Sequence, residues 1–277
     1  REAQFFELSG DHRRMAHHRQ DPQFHPRQAA GRTPVRTGYP RAGGHRTDLP
    51  QQGGVLVRTG IMSFRVFFSE ADWVEAAVHE IVLDAGKRFS LVLSGGSTPA
   101  PVYRALAEWE RDWRQTEIFL ADERFVPAID KDSNARLVRE TLPIPAEFLL
   151  WNTEAASPQA AADEYDQMLR QRAQPFDVVV LGIGPDGHFA SLFPRSPALH
   201  EHERLAVATE TEEFAVRERL SMTPAAILSA KKLVVLLKGA QKLPLIKELE
   251  SGKKPVEEFP ARMLLDHPDL HVLFANI

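Results

Sequence analysis

The 277-residue chain has no cysteine. That removes disulfides, thiolate nucleophiles and thiolate metal ligands together, and it suits a reducing compartment. No apolar run approaches the about 18 residues of a membrane-crossing helix, so no transmembrane segment is expected. Lysine is missing from residues 1–61, where ten Arg face five Asp or Glu. The remaining residues reverse the balance, with 24 basic against 33 acidic side chains. An acidic body argues against broad nucleic-acid binding, and an anionic ligand would need a local cationic pocket.

Residues 1–61 also lack periodicity. They are rich in Arg, Pro and Gly and hold five of the eleven His, including His17 and His18. Such scattered His seldom build a metal site, no apolar core of a secretory signal is present, and the Pro and Gly load weakens a transit-peptide reading. The segment reads as a disordered or non-native leader, with the ordered chain starting at Met62.

From Met62 the pattern is regular. Strands are expected at "FRVFFS" (64–69), "FSLVLS" (89–94), "TEIFLADE" (116–123), "FDVVVLGIG" (176–184), "KKLVVLLKG" (231–239) and "LHVLFAN" (270–276). Helices are expected between them. One is capped by Ser69 and ends at Gly86, one follows the turn "GGSTP", one is capped by Ser133, one spans "SPQAAADEYDQMLRQRA", and one, after Gly239, is interrupted by Pro244. Apolar strands alternating with helices indicate an α/β fold: an open, mostly parallel, Rossmann-like sheet with helices on both faces. Ligands of such sheets bind at the carboxyl ends of the strands. That rule selects the loops Ser94–Thr98, Ala121–Pro127, Gly182–His188 and Gly239–Lys242.

Gly182, Gly184 and Gly187 spell G-x-G-x-x-G, but Pro194 and Pro197 deny the helix that a dinucleotide site needs after its third glycine, and Pro185 removes a donor from the loop. The glycines instead let the backbone turn and present Asp186 and His188. A carboxylate two residues from an imidazole can fix its tautomer and leave the other nitrogen as a general base; a solvated turn Asp beside a structural His fits the same spacing. "SGGSTP" offers Ser94, Gly95, Gly96 and Ser97 at a helix start, an anion cradle or a capped turn, and without G-K-[ST] it is no Walker loop. In "ADER", Arg124 can clamp a phosphate, while Asp122 is catalytic or orients Arg124. Lys242 stands in the first turn of a helix, unfavourable against the dipole unless it helps to bind an anion. Arg217 and Arg219 in "VRERLSMT" are further cations.

Taken in order, "LSGGSTP", "LADERFVP…SNARLVRETL", "VVVLGIGPDGHFASLFP" and "KGAQK" resemble the 6-phosphogluconolactonase family, from Met62 to Ile277. The resemblance implies residues 62–277 as one lactonase domain that hydrolyses 6-phospho-D-glucono-1,5-lactone to 6-phosphogluconate, in the pentose phosphate pathway, without metal or cofactor. It implies His188 as the base that activates water, oriented by Asp186. It implies phosphate binding by Arg124 and by the loop Ser94, Gly95, Gly96 and Ser97, with Arg219 and Lys242 matching less closely and Asp122 in support. Glucosamine-6-phosphate deaminase, a relative, is similar in D-G-H and G-x-x-K. It typically carries D-E-Y where this chain has Asp122-Glu123-Arg124, and a Glu in the segment where this chain reads Phe189-Ala190-Ser191-Leu192-Phe193-Pro194. Phe189 stands where lactonases usually have Thr. The only partner expected is the sugar-phosphate lactone, with no nucleic acid or membrane, and the protein is expected to be a cytoplasmic monomer.

Overall fold

The computed structural model describes residues 54–58, 63–172 and 175–277. Strands β1 (Val55–Arg58), β2 (Ser63–Phe67), β3 (Phe89–Leu93), β4 (Thr116–Leu120), β6 (Glu147–Leu149), β7 (Val178–Leu181), β10 (Lys232–Lys238) and β11 (Leu270–Ala275) form an eight-stranded sheet in the order β1-β2-β11-β10-β7-β3-β4-β6. Every pairing is parallel except β1 with β2. The sheet is flanked by helices α1 (Glu70–Val82), α2 (Ala100–Ala107), α3 (Asn134–Thr141), α4 (Pro158–Arg170), α5 (Pro224–Leu228) and α6 (Leu243–Ser251). Burial on both faces explains the uninterrupted apolar runs: β3 and β7 are buried along their whole length, and each fully buried Leu, Val or Phe contributes roughly 1.5–3 kcal/mol.

The β3–β7 pairing holds the centre of the sheet. The chain leaves β3 toward β4 and β6, and leaves β7 toward β10, in opposite directions. This is the topological switch point at which open α/β sheets bind ligands. The glycine loop follows β3 and the D-G-H loop follows β7, so two of the four expected loops meet there.

The expected caps form. Ser69 accepts from Asp72 N, and Ser133 from Arg136 N. Other expectations shift. Helix α1 ends at Val82 with Leu83 as cap, before Gly86. Pro244 does not interrupt its helix. A 3₁₀ turn, Ala240–Lys242, comes first, and Pro244 sits in the first turn of α6, where its missing N–H costs nothing. Val55–Arg58, assigned to the leader, is a strand paired in register with β2, Val55 opposite Val66. Four residues are too few for alternation to register in the sequence. Residues 1–53 and 59–62 lie outside the described residues.

A second sheet was not expected. β5 (Asp122–Arg124), β9 (Glu218–Met222) and β8 (Ala206–Glu210) form an antiparallel trio in the order β5-β9-β8. It grows from the end of β4, because Ala121 N donates to Leu93 O and Met222 N donates to Ala121 O. Trp151 stacks on Tyr165 at 3.7 Å. Trp151 Nε1 and Tyr165 Oη both donate to Leu120 O, and Tyr165 Oη accepts from Leu120 N. These bonds fix the β4 terminus immediately before Asp122.

Candidate active site

His188 ends the turn that follows β7. Its main-chain oxygen accepts from Gly184 N at 2.8 Å, and Gly187 N donates to Gly184 O at 3.1 Å. Gly187 has φ of +87°, a conformation that favours glycine. Gly184 has a different reason: a Cβ there would overlap the His188 ring. The turn thus sets the Cε1 and Nδ1 atoms of the imidazole against Gly184.

Behind the ring, Asp186 Oδ1 lies 2.5 Å from His188 Nδ1 and accepts the His188 backbone N–H at 3.2 Å. Burial pushes the Asp186 carboxyl up, but the His188 hydrogen bonds and charge outweigh it and hold the group below its ordinary value. A carboxylate on Nδ1 places that nitrogen's proton and leaves Nε2 as the basic nitrogen. Nε2 has no hydrogen-bond partner among the described residues, and His188 lines a cleft of about 210 Å³. That is below the roughly 300–1,000 Å³ of pockets for drug-sized ligands, and suits a small polar molecule. Asp186 does not line this cleft; it faces a neighbouring groove with Phe193 and Arg195.

The same cleft collects cations: Arg124, Arg219 and Lys242 line it with His188. Arg124 on β5 and Arg219 on β9 are register partners in the second sheet. Burial, and then the charge of Arg124, lower the Arg219 pKa. Arg219 Nε donates to Val216 O at 2.8 Å, and its guanidinium lies 5.5 Å from the Phe214 ring centre. Lys242 reaches in from the 3₁₀ turn and donates to Ile183 O at 2.6 Å. Burial lowers its pKa, against the charge of Asp186. Three cations drawn together in an acidic body create a local demand for an anion.

The glycine loop closes the cleft. Ser94, Gly95 and Gly96 line it, and Tyr103 Oη donates to Ser94 O at 2.8 Å. Ser97 is not brought in. It faces a separate groove with Ala100 and Arg104, and Thr98 takes the place in the lining. Arg217 also stays out, paired with Glu212 on the exposed surface.

Asp122 lines the cleft and is nearly buried. Its Oδ2 accepts from Ser191 Oγ at 2.8 Å, and its Oδ1 from Asn134 Nδ2 at 3.3 Å. Asn134 Oδ1 in turn accepts from Arg124 Nη1. Glu123 is fully buried and caps α3, accepting from Asn134 N and Ala135 N at 2.7 Å each and from Ser133 Oγ at 3.1 Å. Burial raises its pKa despite these bonds.

Asn134, Glu123, Ser191 and Phe214 were missed as site residues. Glu123 and Asn134 were legible only as strand end and helix start, and Ser191 only as part of a motif. Phe214 stands in a polar hairpin loop, and nothing local shows that it meets the His188 ring edge-on at 5.6 Å.

Comparisons with known proteins show what the chain is similar to. The family model described as glucosamine-6-phosphate isomerases/6-phosphogluconolactonase matches residues 68–272. A 6-phosphogluconolactonase of Caulobacter vibrioides is 36% identical over 201 residues, covering 68% of this chain and 84% of its own. One from Synechocystis is 34% identical over 193 residues, covering 65% and 79%. Among solved structures, a 6-phosphogluconolactonase from Shewanella baltica superposes with a TM-score of 0.71 at 33% identity, covering 77% of this chain and 97% of that one.

Proposed function

Because this chain belongs to the glucosamine-6-phosphate isomerase/6-phosphogluconolactonase family, we propose that it is a lactone hydrolase that opens 6-phospho-D-glucono-1,5-lactone to 6-phosphogluconate in the pentose phosphate pathway, with His188 as general base. The observation that carries this reading is the convergence, on one cleft, of the Asp186-oriented His188 with Arg124, Arg219 and Lys242. The cations and the Ser94–Gly96 loop take the phosphate, and the reacting carbon C1 comes to rest beside Nε2.

A lactone carbonyl is already electrophilic, so the reaction needs one positioned water, one base and charge stabilisation. His188 Nε2 takes a proton from water as its oxygen bonds to C1. The tetrahedral oxyanion then collapses, the C1–O5 bond breaks, and the imidazolium returns the proton to O5. Ionisation of the new carboxyl group makes ring opening effectively irreversible near neutral pH. General-base assistance of this kind is worth about 10²–10⁴-fold. The remote phosphate supplies binding energy that holds C1 in place.

Deamination or isomerisation of an amino-sugar phosphate, the other chemistry of the family, fits less well. No Glu occupies the Phe189–Pro194 segment, and Asp122 is engaged by Ser191 and Asn134. The reading includes a monomer acting in the cytoplasm, with no nucleic-acid or membrane partner. No helix among the described residues is long and apolar enough to cross a membrane. The deciding assay supplies freshly generated 6-phosphogluconolactone and subtracts spontaneous hydrolysis. Turnover above that background is expected; ammonia release from glucosamine 6-phosphate with no lactone turnover would replace the reading.

A further inference from the structure

Four side chains run in unbroken hydrogen-bonded sequence at the cleft, and three of them, Asp122, Asn134 and Arg124, line it. Ser191 Oγ donates to Asp122 Oδ2, Asn134 Nδ2 donates to Asp122 Oδ1, and Arg124 Nη1 donates to Asn134 Oδ1. One end is the turn that carries the base, and the other is a guanidinium facing the cleft. Ser191, Asn134 and Asp122 are almost wholly buried, where a hydrogen bond is strong and a missing partner is costly.

Ser191 is held at every polar atom. Its N–H donates to Ser221 Oγ at 3.2 Å and its carbonyl accepts from Thr209 Oγ1 at 2.9 Å. Ala190, between Ser191 and the His188–Phe189 pair, has φ of +48°, a left-handed conformation that costs a non-glycine residue roughly 1–3 kcal/mol and persists only where its surroundings impose it. Leu192 N closes the turn onto Phe189 O at 3.0 Å. At the far end, Asn134 also donates to Asp122 O at 2.9 Å, and its side chain fills the space where a Cβ on Gly95 would stand. Asn134 therefore touches the glycine loop, the D-E-R strand and Arg124 at once.

We propose that Ser191, Asp122 and Asn134 are positioning residues that couple Arg124 to the turn holding His188, with Asp122 as the shared acceptor and not a proton-transfer group. The proposal rests on the lactonase reading for its substrate. Both Asp122 oxygens take donors from the protein, which gives the carboxylate a structural task at each. When phosphate draws Arg124 toward it, Asn134 and Asp122 transmit the constraint to Ser191, and binding energy gained at the phosphate serves the geometry at C1.

The test uses the full chain and its D122N, N134A, S191A and N134A/S191A variants, with kcat and KM measured on 6-phosphogluconolactone and on unphosphorylated glucono-1,5-lactone. N134A should lose far more kcat/KM on the phosphorylated substrate than on the other. S191A should lose chiefly kcat. The double variant should fall short of the product of the two single losses by roughly threefold or more, the mark of coupled residues. D122N should combine both defects and keep the shape of the kcat pH profile. Near-UV circular dichroism checks folding; if D122N does not fold, the N134A/S191A cycle decides. Multiplicative losses would overturn the coupling, and disappearance of one limb of the pH profile in D122N would make Asp122 a proton-transfer group. If the parent chain binds 6-phosphogluconate without lactone turnover, the lactonase reading falls alone, and the same cycle measured on the Kd for 6-phosphogluconate decides the coupling by the same criterion.

Discussion

Replacing Asp186 by Asn and by Ala separates charge from orientation at His188. Asp186 Oδ1 receives both the ring Nδ1–H and the His188 backbone N–H. In Asp186→Asn the carbonyl oxygen can keep both bonds. A flipped amide would set its NH₂ against the backbone N–H, a mismatch that costs about 1–3 kcal/mol. The orientation and tautomer of the ring should therefore survive, and the loss should be that of converting a charge-assisted bond into a neutral one. The two classes are worth about 1.5–3 and 0.5–1.5 kcal/mol, a difference of about 1–1.5 kcal/mol. At about 1.4 kcal/mol per tenfold, kcat should fall roughly tenfold. Asp186→Ala removes the acceptor outright and should forfeit much of the base's contribution, about 10²–10³-fold out of the 10²–10⁴-fold available. KM should change little in either variant, because Asp186 does not line the cleft. The assay is steady-state lactone hydrolysis corrected for the spontaneous rate. Equal kcat values for the parent, Asn and Ala forms would refute the orienting role. A raised KM at unchanged kcat would show that Asp186 reads substrate instead.

Arg124→Ala should depress kcat/KM for the phosphorylated lactone at least tenfold more than for gluconolactone, and equal losses would remove Arg124 from phosphate recognition. The lowered pKa of Asp186 makes a stability prediction of defined sign. The native state binds this proton less tightly than the unfolded chain, whose aspartates titrate near about 3.9, so the group's contribution is complete above that pH and is lost as the pH falls through the lower native value. Urea unfolding should show Asp186→Asn less stable than the parent at pH 7, with the gap closing toward pH 3; a constant gap would contradict the linkage. Activity should persist after exhaustive chelation, since the lactone needs no Lewis acid and no group of three His, Cys, Asp or Glu converges among the described residues; loss on chelation with recovery on zinc would reverse this. A chain starting at Met62 lacks β1, an edge strand that leaves Val55 and Leu56 exposed. It should fold and keep its kcat, and loss of soluble protein would place β1 among the elements required for folding.

Local chemistry made much of this protein legible before any coordinates. The runs "LVL", "VVVL" and "LVVLL" are apolar throughout because both faces of a parallel sheet are buried, so they announced the sheet, and with it the ligand-bearing strand ends. Ser69 and Ser133 announced helix starts because a cap bonds within its own first turn. The D-G-H spacing placed Asp186 against His188 because two residues across a glycine turn can meet without help from the rest of the chain. What lay beyond reach depended on partners far apart in sequence. The short strands β5, β8 and β9 gain their register only from one another and from the end of β4, so the Arg124–Arg219 pairing was invisible in "ADER" and "VRERLSMT". Ser97 looked equivalent to Ser94, and only the course of the chain into α2 turned it to another groove. Asn134 and Ser191 are small polar residues that carry no signal alone. They become site residues because strand order brings Asp122 between them, 12 residues from one and 69 from the other.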